Sequence, residues 1–351
     1  MDVGVVEEPY EINKDLIALQ RLIAPEIGEL LEMRYKILAT IVNEAPIGRR
    51  NLAQALDMSE RQIRNEIEFL QNQKLLGVER QGVIVSELGK RTIDDLQKIL
   101  YDYNEIEELE KTLQKALKLK KVFVCPGDVK QDARVMQYMG SAGARYLLSV
   151  LQDGDTVALT GGASTGSLVD QMKEATYPNV TVIPARGGIG KTHFVQANNL
   201  VAKMGLKLKS NYELLHLPDN LDNRLLEELK DYPEIKQVFD QMKVIDFFIF
   251  GIGRAEVLAK RRNLKIEEQE TITNQGAVAE AFGHYFNLQG KLVSKPNSIS
   301  IGLEDYYNIP TNIAIAGGAH KADAIISVSR IKENLVLITD ESAANAIIRQ
   351  L

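Results

Sequence analysis

The sequence predicts an α/β protein in two parts: a small helical unit carrying a two-stranded wing, then a larger Rossmann-like domain built on a parallel sheet. Three observations predict it. A capped amphipathic stretch, "SERQIRNEIEFLQNQKLL" from Ser59 to Leu76, follows a shorter helical one. An alternating pattern that turns at Gly82 comes directly after it. Beyond Lys120, apolar runs of strand length alternate with helical stretches, and several of the runs end in glycine or proline.

Length and composition set the bounds. At 351 residues the chain exceeds one ordinary domain, so two cores are the default. Its 45% hydrophobic and 26% charged residues describe a soluble globular protein. No apolar run approaches the roughly 18 residues of a membrane span, and the acidic start "MDVGVVEEPYEINKD" does not read as a signal, so a cytoplasmic protein is expected. Cys125 is the only cysteine, which excludes an intrachain disulfide. In "KVFVCPG" it reads as a buried, inert thiol, because no partner base is evident. His193, His216, His284 and His320 show none of the close Cys/His spacings of a zinc site, and no metal is expected. A net charge of −6 argues against a general affinity for anionic surfaces and makes any DNA contact local.

Residues 13–44 are helical in pattern, with Leu16, Leu19, Ile23, Ile27, Leu30 and Leu31 on one side, and Pro46 ends that helix. In "IGRRNLAQALDM", Leu52 and Leu56 form a short apolar face, and Asp57 to Ser59 break it. Ser59 then caps the next helix while Gln62 reaches back to it, a capping box that satisfies the orphan amides of the first turn. At about 100° per residue, Ile63, Ile67 and Leu70 fall on one side and Arg61, Arg64, Asn65 and Glu68 on the other. Two short helices joined by a tight turn form a helix-turn-helix, whose second helix is suited to a DNA major groove. "LLGVERQGVIV" adds the hairpin wing. Arg61, Arg64 and Asn65 are therefore the candidate operator readers, with Arg49, Arg50 and the wing residue Arg80 as phosphate contacts. From Ile47 to Arg80 there are six basic and five acidic residues, so one face, and not the whole unit, would carry the positive charge.

Residues 91–120 read as a helical linker, with Ile93, Leu96, Leu100, Tyr103, Ile106, Leu109, Leu113 and Leu117 at mixed three- and four-residue steps. Two readings stand: a linker packed on its own domain, or a dimerising seam. The expected organisation is 1–90 for the winged-helix domain with its N-terminal helix, 91–120 for the linker, and 121–351 for the effector domain. In that last part "KVFVCPG", "TVALTGG", "VTVIPARGG", "YELLHLP", "VIDFFIFGIG", "SISIGL", "TNIAIAGG" and "NLVLITD" read as strands buried on both faces, as in a parallel sheet between helices. Ligands of open α/β sheets bind at the carboxyl edge, where the glycines of these runs fall.

One edge is phosphate-like. In "ALTGGASTGSLVDQM" a strand runs through "GGASTG" into a helix, which offers close backbone approach, hydroxyl donors and free amides at a positive dipole end. It lacks the Walker A lysine and does not match G-x-G-x-x-G. Arg186 in "PARGG" and Lys321 in "AGGAHKADAI" add cations at two further strand ends, and convergence of the three favours a phosphorylated ligand. Glu280 in "NQGAVAEAFGHYF" is a candidate acceptor for sugar hydroxyls, and Gln196 in "HFVQANN" another polar contact. The alternative for "GAVAEAF" is a helix packed closely against backbone.

Taken in order, "PIGRRNLAQAL", "SERQIRNEIEFLQNQKLL", "GDTVALTGG", "ARGG", "QANNL", "GIG", "AKRRNL", "GAVAEAFGHYF" and "AGGAHKADAI" resemble the SorC/DeoR-type bacterial transcription regulators over essentially the whole length. The resemblance implies a winged-helix repressor whose effector domain is similar to sugar-phosphate isomerases. Such a domain binds a glycolytic phosphosugar, typically fructose 1,6-bisphosphate, instead of converting it. Carried over by position, the phosphate loop falls on Gly162, Ala163, Ser164, Thr165 and Gly166. Ala163 stands where relatives tend to have a hydroxyl residue, so that one side-chain donor is either missing or shifted to Thr165. Arg186, Gln196, Glu280 and Lys321 match the other ligand positions, while Arg254 after "GIG" is either a second phosphate contact or a surface residue. The implied partners are operator DNA, the phosphosugar and further copies of the chain, as dimer or tetramer, with no cofactor and no catalytic residue. The rival is an active sugar-phosphate isomerase or deaminase with a fused DNA-binding unit, for which Glu280 and His284 would have to supply acid and base. The sign of regulation, repression or activation, is open at this stage.

Overall fold

The winged unit is built from local signals that agree with one another. In the computed structural model, which describes residues 26–103, 106–188, 196–218, 223–229, 231–262, 264–295 and 299–351, helix α1 spans Glu26–Glu44. The start of the expected 13–44 helix lies outside the described residues. Helices α2 (Arg49–Ala55) and α3 (Glu60–Asn72) follow, joined by a turn in which Asp57 has φ 52°. Ser59 closes the expected capping box: its Oγ accepts from the Gln62 amide at 3.2 Å, and Gln62 Oε1 accepts from the Ser59 amide at 3.1 Å. Strands β1 (Leu76–Glu79) and β2 (Gly82–Val85) pair antiparallel as the wing, and Ile47 bridges Val83 on its inner side. The buried side chains Ile37, Leu38, Ile41, Leu52, Ile63, Ile67, Leu70 and Val83 form one core under both helices and the wing.

Two substitutions test this unit. Ser59→Ala removes the cap and is expected to lower its stability by about 1 kcal/mol, read from the urea midpoint of its unfolding. Gly82→Ala should cost more, about 2 kcal/mol by the same measurement, because φ is +154° and a Cβ would stand 2.5 Å from the Ile47 carbonyl oxygen. An unchanged midpoint for Gly82→Ala would mean that the wing tolerates displacement from Ile47.

The expected linker is helical in α4 (Glu87–Tyr103) and α5 (Ile106–Leu117), and its last three residues, from Lys118 at φ 53° to Lys120, leave the helix. The division into two compact units falls between Glu107 and Glu108, inside the expected 91–120 segment and not at its ends. In the first unit α4 packs along α1, and Ile93 lies against the winged core. In the second, Glu110 accepts from the Val124 amide at 2.6 Å. Leu96, Leu100, Leu113 and Leu117 are all buried within the chain, so the seam reading is corrected for them.

The second unit carries a seven-stranded parallel sheet. Its strands are β3 (Lys121–Cys125), β4 (Thr156–Leu159), β5 (Thr181–Pro184), β6 (Asn211–Tyr212), β7 (Phe247–Arg254), β11 (Thr311–Ile315) and β12 (Leu335–Asp340), in the spatial order β6-β5-β4-β7-β11-β12-β3. Every residue of β4, β11 and β12 is buried, the mark of a sheet covered on both faces. Phe247 and Ile249 enter one core with Val157, Ile315 and Ile338. Phe248 and Phe250 point the other way and stack at 4.8 Å. The order reverses between β4 and β7: β5 and β6 lie outward on one side, β11 and β12 on the other. That reversal is where ligands bind in open α/β sheets.

Four sequence readings are corrected here. "GAVAEAF" is a strand: β8 (Ala277–Ala281) and β9 (His284–Asn287) form a hairpin through Phe282 and Gly283, at φ 38° and 93°, and β10 (Leu292–Ser294) extends it. The positive φ values of that turn stop any helix at Ala281. The hairpin joins the upper end of β7 antiparallel, Gly253 opposite Glu280, so the sheet is mixed and not purely parallel. "SISIGL" contributes only the bridge of Ser300 to Arg186, and "YELLHLP" only the second residue of the short β6 and the bridge of Pro218 to Gly188.

Candidate functional site

On the winged unit, Arg61, Arg64 and Asn65 are exposed along α3, opposite the buried Ile63, Ile67 and Leu70. Arg61 and Arg64 form no ion pair among the described residues, so both guanidiniums project free. Glu66, which would have weakened that field, is drawn aside: Arg34 Nε bonds its carboxylate at 2.8 Å, while the same guanidinium lies 3.7 Å over the Phe69 ring. Arg49 and the wing residue Arg80 are exposed. Arg50 pairs with Glu60 at 3.1 Å, but at 85% exposure this pair opens at little cost.

The second site is a cavity of about 680 Å³ at the strand-order reversal. Helix α7 (Ala163–Gln171) begins there directly after β4, with Gly162 as its cap at φ 131°, and no side chain closes the cap. The first-turn amides therefore face the cavity with the positive end of the helix behind them. Gly162, Ala163, Ser164 and Thr165 all line it, whereas Gly166 does not: its amide donates to the Gly162 carbonyl at 2.8 Å, which removes it from the loop as read in sequence. The Thr165 Oγ is fully buried and has no hydrogen-bond partner among the described residues.

Arg186 from the end of β5, Gln196 at the cap of helix α8 (Ala197–Leu208), Glu280 from β8 and Lys321 after β11 line the same cavity. The Lys321 ammonium makes no ion pair among the described residues, and burial pushes its pKa below the usual lysine range, opposed by Asp340. Asp340 is engaged elsewhere, accepting from the amides of Val129, Gly318 and Ala343 at 2.8 to 3.0 Å. His320 also lines the cavity; burial, then Lys130, Lys321 and Arg254, lowers its pKa, which marks a positive corner. Arg254 lines the cavity too and pairs with Glu256.

Glu280 is buried and accepts from the Gly283 amide at 2.9 Å. Arg262 stands 3.3 Å and Arg186 3.6 Å from the same oxygen, Oε1. Burial pushes the Glu280 carboxyl upward, opposed by Arg186 and the Gly283 amide. His284, the other residue an enzyme would need, does not line the cavity; its Nδ1 lies 3.2 Å from the Phe282 carbonyl, and burial lowers its pKa to about 4. Cys125 is buried in β3, its thiol pushed up to about 12 by burial.

Comparison with known proteins agrees with this two-site layout. The Sugar-bind model, a sugar-binding domain, matches residues 101–349, and the CggR N-terminal DNA binding domain model matches residues 30–100. The central glycolytic genes regulator of Priestia megaterium is 36% identical over 96% of this chain and 99% of its own length. The chain belongs to the SorC/DeoR-type transcription regulators. A SorC family regulator structure from Enterococcus faecalis is similar with a TM-score of 0.64 and 32% identity, covering 69% of this chain and 99% of that one. The full-length sorbitol operon regulator SorC from Klebsiella pneumoniae shares the fold over 97% of this chain and all of its own, with a TM-score of 0.67 and 18% identity.

As a SorC/DeoR-type regulator the chain thus joins a DNA-binding domain to a sugar-binding domain, and no helix among the described residues is long and apolar enough to cross a membrane. Sequence reasoning about this regulator missed Thr160, His320 and above all Arg262. Arg262 and Arg261, the two arginines of "AKRRNL", both line the cavity, and nothing local distinguishes them from Lys260 in the basic end of helix α11 (Ala255–Arg261).

Proposed function

We propose that this regulator represses glycolytic genes, binding its operator as a homo-oligomer in the cytoplasm and leaving it when fructose 1,6-bisphosphate enters the cavity. The reading of the target genes follows the Priestia megaterium relative, whose name is central glycolytic genes regulator. The choice of ligand rests on one observation: a helix N-terminus, Arg186, Arg262 and Lys321 line a single cavity, more positive charge than one phosphate requires. Glu280 accounts for recognition of the sugar hydroxyls between the phosphates. Arg61, Arg64 and Asn65 read bases, while Arg49, Arg50 and Arg80 hold the backbone.

A binding role, and not turnover, fits the protonation chemistry. An isomerase or deaminase needs a positioned base and acid, yet Glu280 lies between two guanidiniums and His284 is outside the cavity. Incubation of the purified protein with aldose and ketose phosphates is expected to give no interconversion. Linkage requires operator and sugar to weaken each other by one common factor. Operator titrations with and without fructose 1,6-bisphosphate, matched by sugar titrations with and without operator, test this; unequal factors or no effect of the sugar would remove the proposal. Tighter operator binding with sugar present would make the sugar a corepressor or coactivator and overturn its reading as an inducer. Sedimentation velocity at micromolar concentration, free and on DNA, is expected to show a dimer or tetramer; a monomer in both would sink the homo-oligomer.

A further inference from the structure

Phe282 holds a backbone conformation that side chains rarely adopt. Its φ is 38°, in the left-handed region, and Gly283 follows it at 93° in the same turn. Such a conformation costs an L residue stability and persists only where its surroundings hold it, most often beside a bound ligand. Two sets of contacts hold it here. The Gly283 amide donates to Glu280 Oε1 at 2.9 Å and closes the turn. The Phe282 ring stacks on Tyr306, in the helix Leu303–Asn308, at 4.7 Å and 18°, and meets Phe250 and Phe248 edge-on at 5.3 and 5.6 Å. A glycine would occupy the turn with less strain but would leave that cluster without the ring its other members share.

The aromatic cluster and the effector cavity meet at this residue. Phe248, Phe250, Phe286 and Tyr306 are fully buried and do not line the cavity, whereas Phe282 does, on the same hairpin as Glu280. Among the described lining residues it is the only phenyl or phenol ring. We infer that Phe282 is a specificity-determining residue: its ring, held at positive φ, is the wall between the cavity and the aromatic core and limits the length of sugar that the cavity accepts. The inference rests on the phosphosugar reading and deepens it, from the phosphates to the carbon chain between them. Cations and amides hold a phosphate whatever sugar carries it, so they do not measure length. A packed ring does, because a longer chain has to displace it or give up a contact at one end.

The test is titration calorimetry of the full chain with fructose 1,6-bisphosphate, with the longer sedoheptulose 1,7-bisphosphate and with inorganic phosphate. The parent is expected to favour the shorter sugar by at least about tenfold, the scale on which a packed pocket discriminates one carbon. In Phe282→Ala the cavity opens toward Tyr306, and that preference should fall to about threefold or less. Inorganic phosphate should stay within about threefold of the parent, because the amides and cations that hold it are unchanged. A Phe282→Ala protein that keeps the parental preference overturns the inference, as does a parent that binds both sugars alike. Equal weakening of both sugars and inorganic phosphate would leave the ring a packing role alone and overturn it too. Where Phe282→Ala does not fold, Phe282→Leu decides: it keeps apolar bulk without the planar ring, and the preference should fall by at least about threefold. An unchanged preference in Phe282→Leu overturns the inference. A parent that binds neither sugar removes the phosphosugar reading and this inference with it, whereas a selective parent with an equally selective variant removes the inference alone.

Discussion

Replacing Arg186 or Lys321 by alanine is expected to weaken fructose 1,6-bisphosphate by at least about tenfold, since each charge-assisted hydrogen bond is worth roughly 1.5 to 3 kcal/mol. The two losses should differ in kind. Arg186 lies 3.6 Å from Glu280, and its removal still leaves that carboxylate beside Arg262, so the fold should tolerate the change. Lys321 has no ion-pair partner among the described residues, and the buried Asp340 that attracts it keeps its three amide donors when Lys321 is removed. Burial lowers its pKa, and a phosphate arriving beside it would raise it again. Fructose 6-phosphate, lacking one phosphate, should bind the parent protein at least about tenfold more weakly than the bisphosphate. Calorimetry of the parent and both variants with both sugars checks this. Equal affinities for the two sugars, or undiminished binding in both variants, would put the effector elsewhere.

The operator side carries the second large effect. Arg64→Ala is expected to cost about 1 to 3 kcal/mol of operator affinity and to relax selectivity at one base position, as loss of a bidentate base contact does. Arg64 is exposed near the start of α3, beyond the Ser59 cap, and the face it shares with Arg61, Asn65 and Glu68 is spared the charge of Glu66, which Arg34 pairs. Arg80→Ala at the wing should behave differently: it should weaken operator and unrelated DNA alike and reduce the salt slope by about one. Fluorescence anisotropy on operator and scrambled duplexes, at several salt concentrations, separates the two patterns. If Arg64→Ala leaves the ratio of operator to scrambled affinity unchanged, α3 does not read sequence through that residue. Arg34→Ala offers a check that touches no DNA: releasing Glu66 should weaken operator binding through charge alone, and high salt should shrink the effect.

Much of this was legible without coordinates because it depends on neighbours in the chain. The capping box of Ser59 and Gln62, the buried stripe of Ile63, Ile67 and Leu70, the wing turn before Gly82 and the strand-to-helix passage at Gly162 are each decided within a few residues. Local chemistry writes such features directly: a cap is a hydrogen bond across three residues, and a helix face is a period of 3.6. The convergence of the loop after β4, Arg186 and Lys321 was foreseen by a different logic, since parallel strands deliver their carboxyl ends to one edge, whereas Glu280 stands on an antiparallel strand and Gln196 at a helix cap. Tertiary structure decided the rest. "GAVAEAF" became a strand because the Phe282–Gly283 turn and the upper end of β7 offered its backbone partners, and no periodicity in seven residues separates that outcome from a short helix. The leucines of 91–120 fitted a seam and a packed linker equally, and only the fold buries Leu96, Leu100, Leu113 and Leu117. Arg262 became part of the cavity only when the hairpin set Glu280 opposite Gly253 and brought it beneath the end of α11. An arginine in a basic run is solvated or buried according to what the sheet places beside it, and that depends on pairing between distant segments, which local spacing does not encode.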